Sequence, residues 1–178
     1  MEDNINTKNK EARDWEKTGI KVLDMAKQEL FLGMRYMFLA LNMLGYKADR
    51  RIRFVATDGR FLYYNPVLLI ENYKKNPTDV NRAYLHMIMH CLFRHIYDAE
   101  KYKDEDDIQL WNLSCDICAE YLVDGIELSC VIKPENTKRQ QIYKEILAKS
   151  RVLSAANIFY ILKTQMNNQA QMLSLIHI

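Results

Sequence analysis

The sequence predicts an α+β fold that is mostly helical and contains one small β-hairpin. Its 178 residues include only 5 glycines and 3 prolines, and 49% are hydrophobic, so we expect long helices around a buried core. Apolar residues follow the helical repeat along most of the chain, but the period changes over residues 50–65, where we place the hairpin. The length corresponds to one domain, or to one domain with a helical extension.

The first helical stretch is predicted from about Glu11 to Leu44. From Ile20 onward its apolar residues recur every three or four positions, which forms a face broad enough to cover one side of a core. We expect a break at Thr18-Gly19, where Thr18 could cap the helix that follows, and Gly45 is the candidate that ends the stretch.

The predicted hairpin surrounds Asp58-Gly59. Two short runs rich in β-branched and aromatic residues flank this dipeptide, so strands are expected near residues 51–56 and 61–64. A type I′ turn would need positive φ at both central residues. Arginines alternate with the apolar residues of these runs, and we assign them to the solvated face of an edge hairpin.

A shorter helix is predicted from Pro66 to about Lys75, and a central helix, capped by Thr78 or Asp79, then runs to about Tyr97. It contains His86 and His90. At about 100° per residue, these imidazoles lie about 40° apart on one face, where both could reach one metal ion.

Zinc hydrolases use this histidine spacing as His-Glu-x-x-His, but Met87 occupies the glutamate position here. His95 lies about 180° round the helix from His86, and no glycine turns the chain back, so it is not expected to be a ligand. Two packed or solvated histidines without a metal are the simpler interpretation of the pair.

The next helix is predicted from about Asp107 to Asp124, with Asn112, Asp116 and Glu120 on one stripe. A carboxylate stripe on a helix usually faces solvent. A zinc ion held by two histidines needs a third protein ligand, however, and Asp116 is the nearest well-placed candidate in the sequence.

The N-terminus is polar and no apolar run approaches the roughly 20 residues of a membrane span, so we predict a cytoplasmic protein with reduced cysteines. Cys115-x-x-Cys118 could be half of a zinc site, but no second cysteine pair exists, and we assign both residues to the core. The 25 basic and 23 acidic residues give a net charge of +2, which indicates neither nucleic acid nor a membrane as a partner.

After Gly125 we expect a loop with a short extended piece near residues 128–132, then helices over about residues 138–149 and 154–167. Residues 173–178, Leu-Ser-Leu-Ile-His-Ile, resemble a translated sequencing adapter. We therefore treat residues 168–178 as a tail and expect the natural gene to continue, with no ligand role for His177.

Three pieces of the chain occur in a recognisable order. They are Ala56-Thr-Asp-Gly with Tyr64-Asn-Pro, Leu85-His-x-x-x-His90 with Cys91-Leu-Phe-Arg-His95, and Trp111-Asn-Leu-Ser-Cys-Asp116. Together they resemble the bacterial putative metallopeptidase domain, a zincin-like family commonly found N-terminal to von Willebrand factor A-like domains. The resemblance covers about residues 20–165, so residues 1–19 are assigned to a polar helical extension and residues 20–167 to the domain.

The resemblance implies a zinc ion held by His86 and His90, with Asp116 as the third ligand or as a carboxylate that orients a ligand. It also implies that Met87 replaces the glutamate that would take a proton from the attacking water and pass it to the leaving amine. A thioether cannot do this, and loss of a general base typically costs about 10²–10⁴-fold in rate. We therefore expect a zinc metallopeptidase-like domain with impaired catalysis.

Two alternatives stay open. The first is a metal-free interaction or scaffold module in which the histidines are polar groups of the core. The resemblance implies two partners for it, a C-terminal von Willebrand A-like domain and an AAA-type ATPase, because family members are often linked to such ATPases. The second is an active metallohydrolase in which Glu120, at a position where the family tends to have asparagine, serves as a relocated base.

Overall fold

The computed structural model describes the backbone of residues 2–135 and 137–176, and the side chains of residues 10–135 and 137–166. This part of the chain is mostly helical, with eight α-helices and a three-stranded sheet, which confirms the predicted α+β class. It divides into two compact units, Met1–Leu92 with Ile126–Lys133, and Phe93–Gly125 with Pro134–Ile178. Across the described residues, none of the helices combines the length and apolar character that a membrane span requires.

The first unit contains four helices and the sheet. The helices are α1 (Glu2–Gly33), α2 (Phe38–Leu41), α3 (Pro66–Lys75) and α4 (Pro77–Leu92). A 3₁₀ turn, Arg35–Met37, joins α1 to α2. Helix α1 packs against both α3 and α4. Five side chains of these helices are fully buried in the core of this unit: Leu23, Leu30, Leu69, Leu85 and Ile88.

Helix α1 continues through Thr18-Gly19, so the predicted break is wrong. The Thr18 hydroxyl does not cap a new helix but donates to the carbonyl of Asp14, 2.8 Å away, within the same helix. Gly19 is needed for packing, because a Cβ at this position would lie 2.5 Å from Cε2 of Tyr64. The Tyr64 hydroxyl donates to the carbonyl of Glu16 at 3.0 Å, which holds the ring against α1.

The sheet has the order β1-β3-β2, with β1 (Gly45–Ala48), β2 (Val55–Thr57) and β3 (Phe61–Tyr64). Strands β2 and β3 form the predicted antiparallel hairpin, with Val55 opposite Tyr64. The first strand is shorter than the expected 51–56, and β1, which pairs with β3 in parallel, was not predicted.

The hairpin turn differs from the predicted type I′. Gly59 has a φ of 85°, but among the described residues Arg94 is the only non-glycine with positive φ, so Asp58 does not have the required conformation. The Asp58 carboxylate instead accepts hydrogen bonds from the backbone N–H groups of Arg60 and Phe61, at 2.8 and 2.7 Å. These bonds stabilise the turn and hold the pKa of Asp58 below its usual value.

Helix α3 begins at Pro66, as predicted, and Asn65 caps it by accepting from the N–H groups of Val67 and Leu68. Helix α4 begins at Pro77, earlier than the expected Thr78 or Asp79. Asn76, not Thr78 or Asp79, supplies the cap-like contact, because its side-chain oxygen accepts from the Thr78 N–H at 3.2 Å.

Helix α4 ends at Leu92, so the predicted continuation to Tyr97 is wrong. Arg94 adopts a left-handed conformation, with φ of 58° and ψ of 22°, and a separate short helix follows. A non-glycine residue can occupy this region at a modest energetic cost, and the absence of glycine therefore did not prevent the turn.

The second unit contains α5 (His95–Asp98), α6 (Glu105–Gly125), α7 (Thr137–Leu147) and α8 (Ala155–Ile176). Its core is formed by side chains from α6, α7, α8 and the segment before α8: Trp111, Cys115, Cys118, Tyr143, Ile146, Leu153, Ala155 and Ile158. Ser154 accepts from the Asn157 N–H at 3.3 Å, which fits its predicted role as the N-cap of α8.

Residues 126–133, which belong to the first unit, form a loop without the extended piece that was expected near 128–132. Helix α8 extends to Ile176, beyond the predicted end near residue 167. The suspected adapter at residues 173–178 thus begins inside this helix, while His177 lies outside the described residues.

Candidate metal centre

His86 and His90 meet through their Nε2 atoms, which are 2.8 Å apart. The ring centroids are 4.6 Å apart and the ring planes are inclined by 53°. Both side chains are half-buried. Their spacing of one helical turn brings the two nitrogens together, as expected from the sequence.

The opposite side of α4 fixes the orientation of this histidine face. Tyr84 is buried, and its hydroxyl donates to the carbonyl of Leu41 at 2.7 Å and lies 3.3 Å from the hydroxyl of Tyr46. Burial raises the pKa of Tyr84, so its phenol remains a neutral donor at physiological pH. This bond ties α4 to the end of α2, while Leu85 and Ile88 anchor the helix in the core.

The Thr-Asp-Gly piece of the sequence forms the hairpin turn beside α4. Thr57 accepts from the Gly59 N–H at 3.0 Å, and its hydroxyl lies 3.9 Å from the sulfur of Cys91. Burial raises the pKa of the Cys91 thiol, which therefore stays protonated. This part of the motif positions the turn against the helix that carries the histidines.

Met87 follows His86 on α4 and is half-buried. Its sulfur is a weak acceptor and holds no titratable proton. The residue can therefore pack beside the histidines, but it cannot exchange a proton with a reacting group.

The donor chemistry of the pair fits zinc. Two imidazole nitrogens bound to tetrahedral zinc at about 2.0–2.1 Å are roughly 3.3–3.4 Å apart. The observed separation of 2.8 Å is a hydrogen-bond distance and is about half an ångström shorter, so the two rings must rotate slightly apart to admit an ion. Asp116, the candidate third ligand from the sequence, belongs to the second unit, and its carboxylate is a ligand type that zinc also accepts.

The predicted carboxylate stripe lies on α6 in the second unit. Asp116 is exposed, and Glu120 is one turn further along. Glu120 forms an ion pair with Arg139 of α7 at 2.8 Å, and the same guanidinium lies 3.5 Å from Asp124. The Tyr143 hydroxyl donates to Asp124 at 3.0 Å.

This ion-pair group was not predicted. The predicted stripe of Asn112, Asp116 and Glu120 includes only one of its members, Glu120. Asp124 follows Glu120 by four residues and so continues the same face, but nothing in the sequence identifies Arg139 of α7 as the cation. The oxygen of Glu120 that faces Arg139 is already engaged in an ion pair, which is an unfavourable setting for a relocated base.

Cys115 and Cys118 belong to the core of the second unit, in agreement with the prediction. Burial raises the pKa of Cys115 to about 12, and Cys118 donates through its sulfur to the carbonyl of Leu153 at 3.3 Å. Both side chains are buried among the apolar residues of this core, so the pair is structural.

His95 is buried in the second unit at the start of α5, and the indole N–H of Trp111 donates to its carbonyl at 3.0 Å. The sequence predicts His95 within α4, because the left-handed conformation of Arg94 has no signal in the sequence. The imidazole of His95 also packs edge-on against Trp111, with ring centroids 6.4 Å apart.

Comparison with family models found a match to residues 11–155, described as "Putative metallopeptidase domain". Searches of curated proteins and of solved structures found no match. The matched residues make up most of the chain and include His86, His90 and Asp116, so this chain belongs to the putative metallopeptidase domain family.

Proposed function

We propose that this domain binds one zinc ion through His86, His90 and Asp116, and that it is catalytically impaired as a peptidase. The observation that carries the proposal is the 2.8 Å approach of the two histidine Nε2 atoms on α4. Membership of a metallopeptidase-like family supports a metal at this position. The His-His-Asp composition supports zinc over magnesium or calcium, which prefer oxygen ligands.

In this proposal each residue has a separate role. His86 and His90 supply neutral imidazole nitrogens, and Asp116 supplies a carboxylate that partly balances the charge of the cation. A zinc ion held there would act as a Lewis acid toward a peptide carbonyl and would acidify water. Tyr84 fixes the rotation of α4 through its bond to the Leu41 carbonyl, and it thereby orients the histidines.

The impairment rests on Met87. In a His-Glu-x-x-His helix the second residue of the motif moves a proton between the attacking water and the leaving amine, and Met87 has no group that can do this. Glu120 is the candidate for a relocated base, but its ion pair with Arg139 disfavours that role. We expect little or no hydrolysis by the natural sequence.

A domain that holds zinc without efficient cleavage would serve in binding or assembly. The family resemblance makes a von Willebrand A-like domain or an AAA-type ATPase the partner to test first. This part of the proposal rests on analogy between family members alone.

The decisive experiment is a measurement of zinc content in protein purified without a His-tag. We expect about one zinc per chain in the natural sequence, and loss of most of it in His86→Ala and in His90→Ala, since two remaining ligands hold zinc poorly. His177→Ala is the matched control and should retain the metal. Folded natural protein that stays empty after incubation with zinc would refute the proposal and favour the metal-free scaffold.

A further inference from the structure

The outer face of the sheet in the first unit carries two aromatic rings, those of Phe61 and Tyr63. Leu62 and Tyr64 alternate with them along β3 and are buried in the core, so the two rings point to the other side of the sheet. Both residues are half-buried, and their ring centroids are 6.4 Å apart with an interplanar angle of 63°. Lys47 of β1 pairs with Tyr63 and shares this face. We call Phe61, Tyr63 and Lys47 the aromatic platform.

Small residues flank the two rings on the neighbouring strands. Gly45 of β1 pairs with Phe61, and a Cβ at Gly45 would lie 3.0 Å from Cδ1 of this ring. Ala56 of β2 pairs with Tyr63. The Tyr63 hydroxyl donates to Asp58 at 2.9 Å, which fixes the position of the second ring. Both rings are therefore presented beside small neighbours and are not covered by large side chains of the adjacent strands.

Lys47 shows that the faces of these rings are open to groups from solvent. The residue is exposed, and its ammonium lies 3.6 Å from the ring centroid of Phe61 and 5.8 Å from that of Tyr63. An exposed cation–π contact is weaker than the stacking of a nucleobase on an aromatic ring, so a base can displace the ammonium. The displaced lysine would then lie near the phosphate of the stacked nucleotide.

Basic residues surround the platform. Residues 45–64 contain five basic side chains, all of them exposed: Lys47, Arg50, Arg51, Arg53 and Arg60. The same segment contains two acidic residues, Asp49 and Asp58, which leaves a net charge of +3, whereas the whole chain has a net charge of +2. The overall charge therefore conceals a local basic surface on the first unit.

The two carboxylates of this segment are held by donors. Asp49 accepts from Nε and Nη2 of Arg51, at 3.0 and 2.7 Å, and this contact lowers the pKa of Asp49 to about 2. Asp58 accepts from the Tyr63 hydroxyl and from two backbone N–H groups of the turn. Both carboxylates are ionised at neutral pH, and both are included in the net charge of +3.

The acidic residues of α1 that approach the sheet do so from its inner side. Asp24 lies beside Tyr46, and the carbonyl of Glu16 accepts from the Tyr64 hydroxyl. The strand register places Tyr46 and Tyr64 on the face opposite to the platform. These two acidic residues therefore do not reverse the sign of the charge around Phe61 and Tyr63.

Open ring faces beside exposed arginines are complementary to a single-stranded nucleic acid. Its unpaired bases stack on aromatic side chains, and its phosphates attract guanidinium and ammonium groups. A lipid bilayer fits this surface less well, because half-buried rings fixed in a sheet cannot insert between lipids. A second copy of the chain also fits less well, since a two-fold dimer would bring two segments of the same positive charge together.

We propose that the aromatic platform binds single-stranded nucleic acid, with bases stacked on Phe61 and Tyr63 and phosphates bound by Lys47 and Arg60. Arg60 is placed for this role, because it immediately precedes Phe61 and its charge acts on Tyr63. Two rings accommodate two bases, so the site recognises a strand and not a particular sequence. It involves none of the proposed metal ligands and can be tested independently of zinc.

The test is fluorescence anisotropy of a labelled twelve-residue oligothymidine, titrated with the purified 178-residue chain in about 50 mM salt. Phe61→Leu and Tyr63→Leu keep an apolar side chain but remove the ring, and each should weaken binding at least about fivefold. The control is Tyr160→Leu, which removes a ring that is 72% exposed in the second unit and should leave binding unchanged. Circular dichroism of every variant excludes unfolding as the cause.

The phosphate contacts have their own variants. Arg60→Gln should reduce the slope of log affinity against log salt concentration by about 0.7, the contribution of one phosphate contact with a single strand. The exposed residue Arg151 supplies the control Arg151→Gln. A duplex should compete poorly with the oligothymidine, because its bases are already stacked on one another. An oligouridine of the same length distinguishes RNA from DNA as the preferred strand.

Three results would overturn the inference. The unsubstituted chain could fail to bind the oligothymidine, or the two leucine variants could bind it as well as the unsubstituted chain does. If Arg60→Gln alone weakens binding, the surface attracts polyanions such as acidic protein segments without stacking. In the third result, light scattering would detect a dimer that Phe61→Leu converts to a monomer while oligothymidine binding stays unchanged, and the platform would then be a contact between copies.

Discussion

The Nε2 atoms of His86 and His90 lie 2.8 Å apart on the same face of α4. If they share a zinc ion, binding must stabilise the folded state, because the unfolded chain does not hold the ligands together. At a free zinc concentration 100 times the dissociation constant, we expect the free energy of unfolding to rise by about 2.7 kcal/mol.

Thermal unfolding with and without zinc measures this effect. His86→Ala and His90→Ala should each abolish most of the shift, and magnesium should not replace zinc, because imidazole nitrogen is a poor ligand for magnesium. If zinc raises the unfolding temperature equally in the unsubstituted chain and in both variants, the metal binds elsewhere.

Asp116 provides a second prediction. Asp116→Asn keeps the size of the side chain but removes its charge, and we expect zinc affinity to fall at least about tenfold if the carboxylate is a ligand or orients one. Competition with a chelating dye measures the affinity. The exposed residue Asp106, in the first turn of the same helix, supplies the control Asp106→Asn, which should bind zinc normally. Normal zinc binding by Asp116→Asn would limit the site to the two histidines.

The helices and the histidine pair were predictable because their signals are local. The repeat of apolar residues located α1 and α4, and Pro66 marked the start of α3. A separation of four residues on a helix is enough to bring two imidazoles together. The hairpin was also identified, since Asp58-Gly59 interrupts two runs of β-branched and aromatic residues.

The missed features depend on contacts between distant parts of the chain or on backbone conformations without a residue signature. Gly19 was interpreted as a helix break, although it accommodates the ring of Tyr64, 45 positions later in the sequence. Strand β1 forms only by parallel pairing with β3. Arg94 ends α4 in a conformation for which glycine is the usual signal, and the sequence therefore predicted a longer helix.

Gly19 supplies a third prediction. Gly19→Ala should destabilise the first unit by about 1–3 kcal/mol, because the added methyl group must displace a ring that is held by a hydrogen bond to α1. Urea unfolding measures the change. Gly125→Ala is the matched control, since nothing lies within 4 Å of a Cβ at that position. If the two substitutions have equal effects, the contact with Tyr64 is not the reason for a glycine in α1.

Met87 supplies the last prediction, which tests what the missing carboxylate means. Met and Glu have similar length and helix propensity, and Met87 is only half-buried, so Met87→Glu should fold normally. The substitution restores His-Glu-x-x-His and places a proton acceptor next to His86. If the remaining site is intact, zinc-dependent hydrolysis of an unstructured peptide should appear or rise at least about tenfold, the low end of the usual contribution of a general base.

Met87→Gln is the matched control, because it has the same length as the Glu variant without a group that accepts a proton usefully, and it should stay as inactive as the natural chain. The unsubstituted chain could instead hydrolyse the peptide as fast as Met87→Glu does, and Glu120→Gln could abolish that activity. This result would contradict the proposed impairment and identify Glu120 as the base. If both forms bind zinc and neither cleaves, the site lacks more than one carboxylate, and the domain holds zinc without acting as a peptidase.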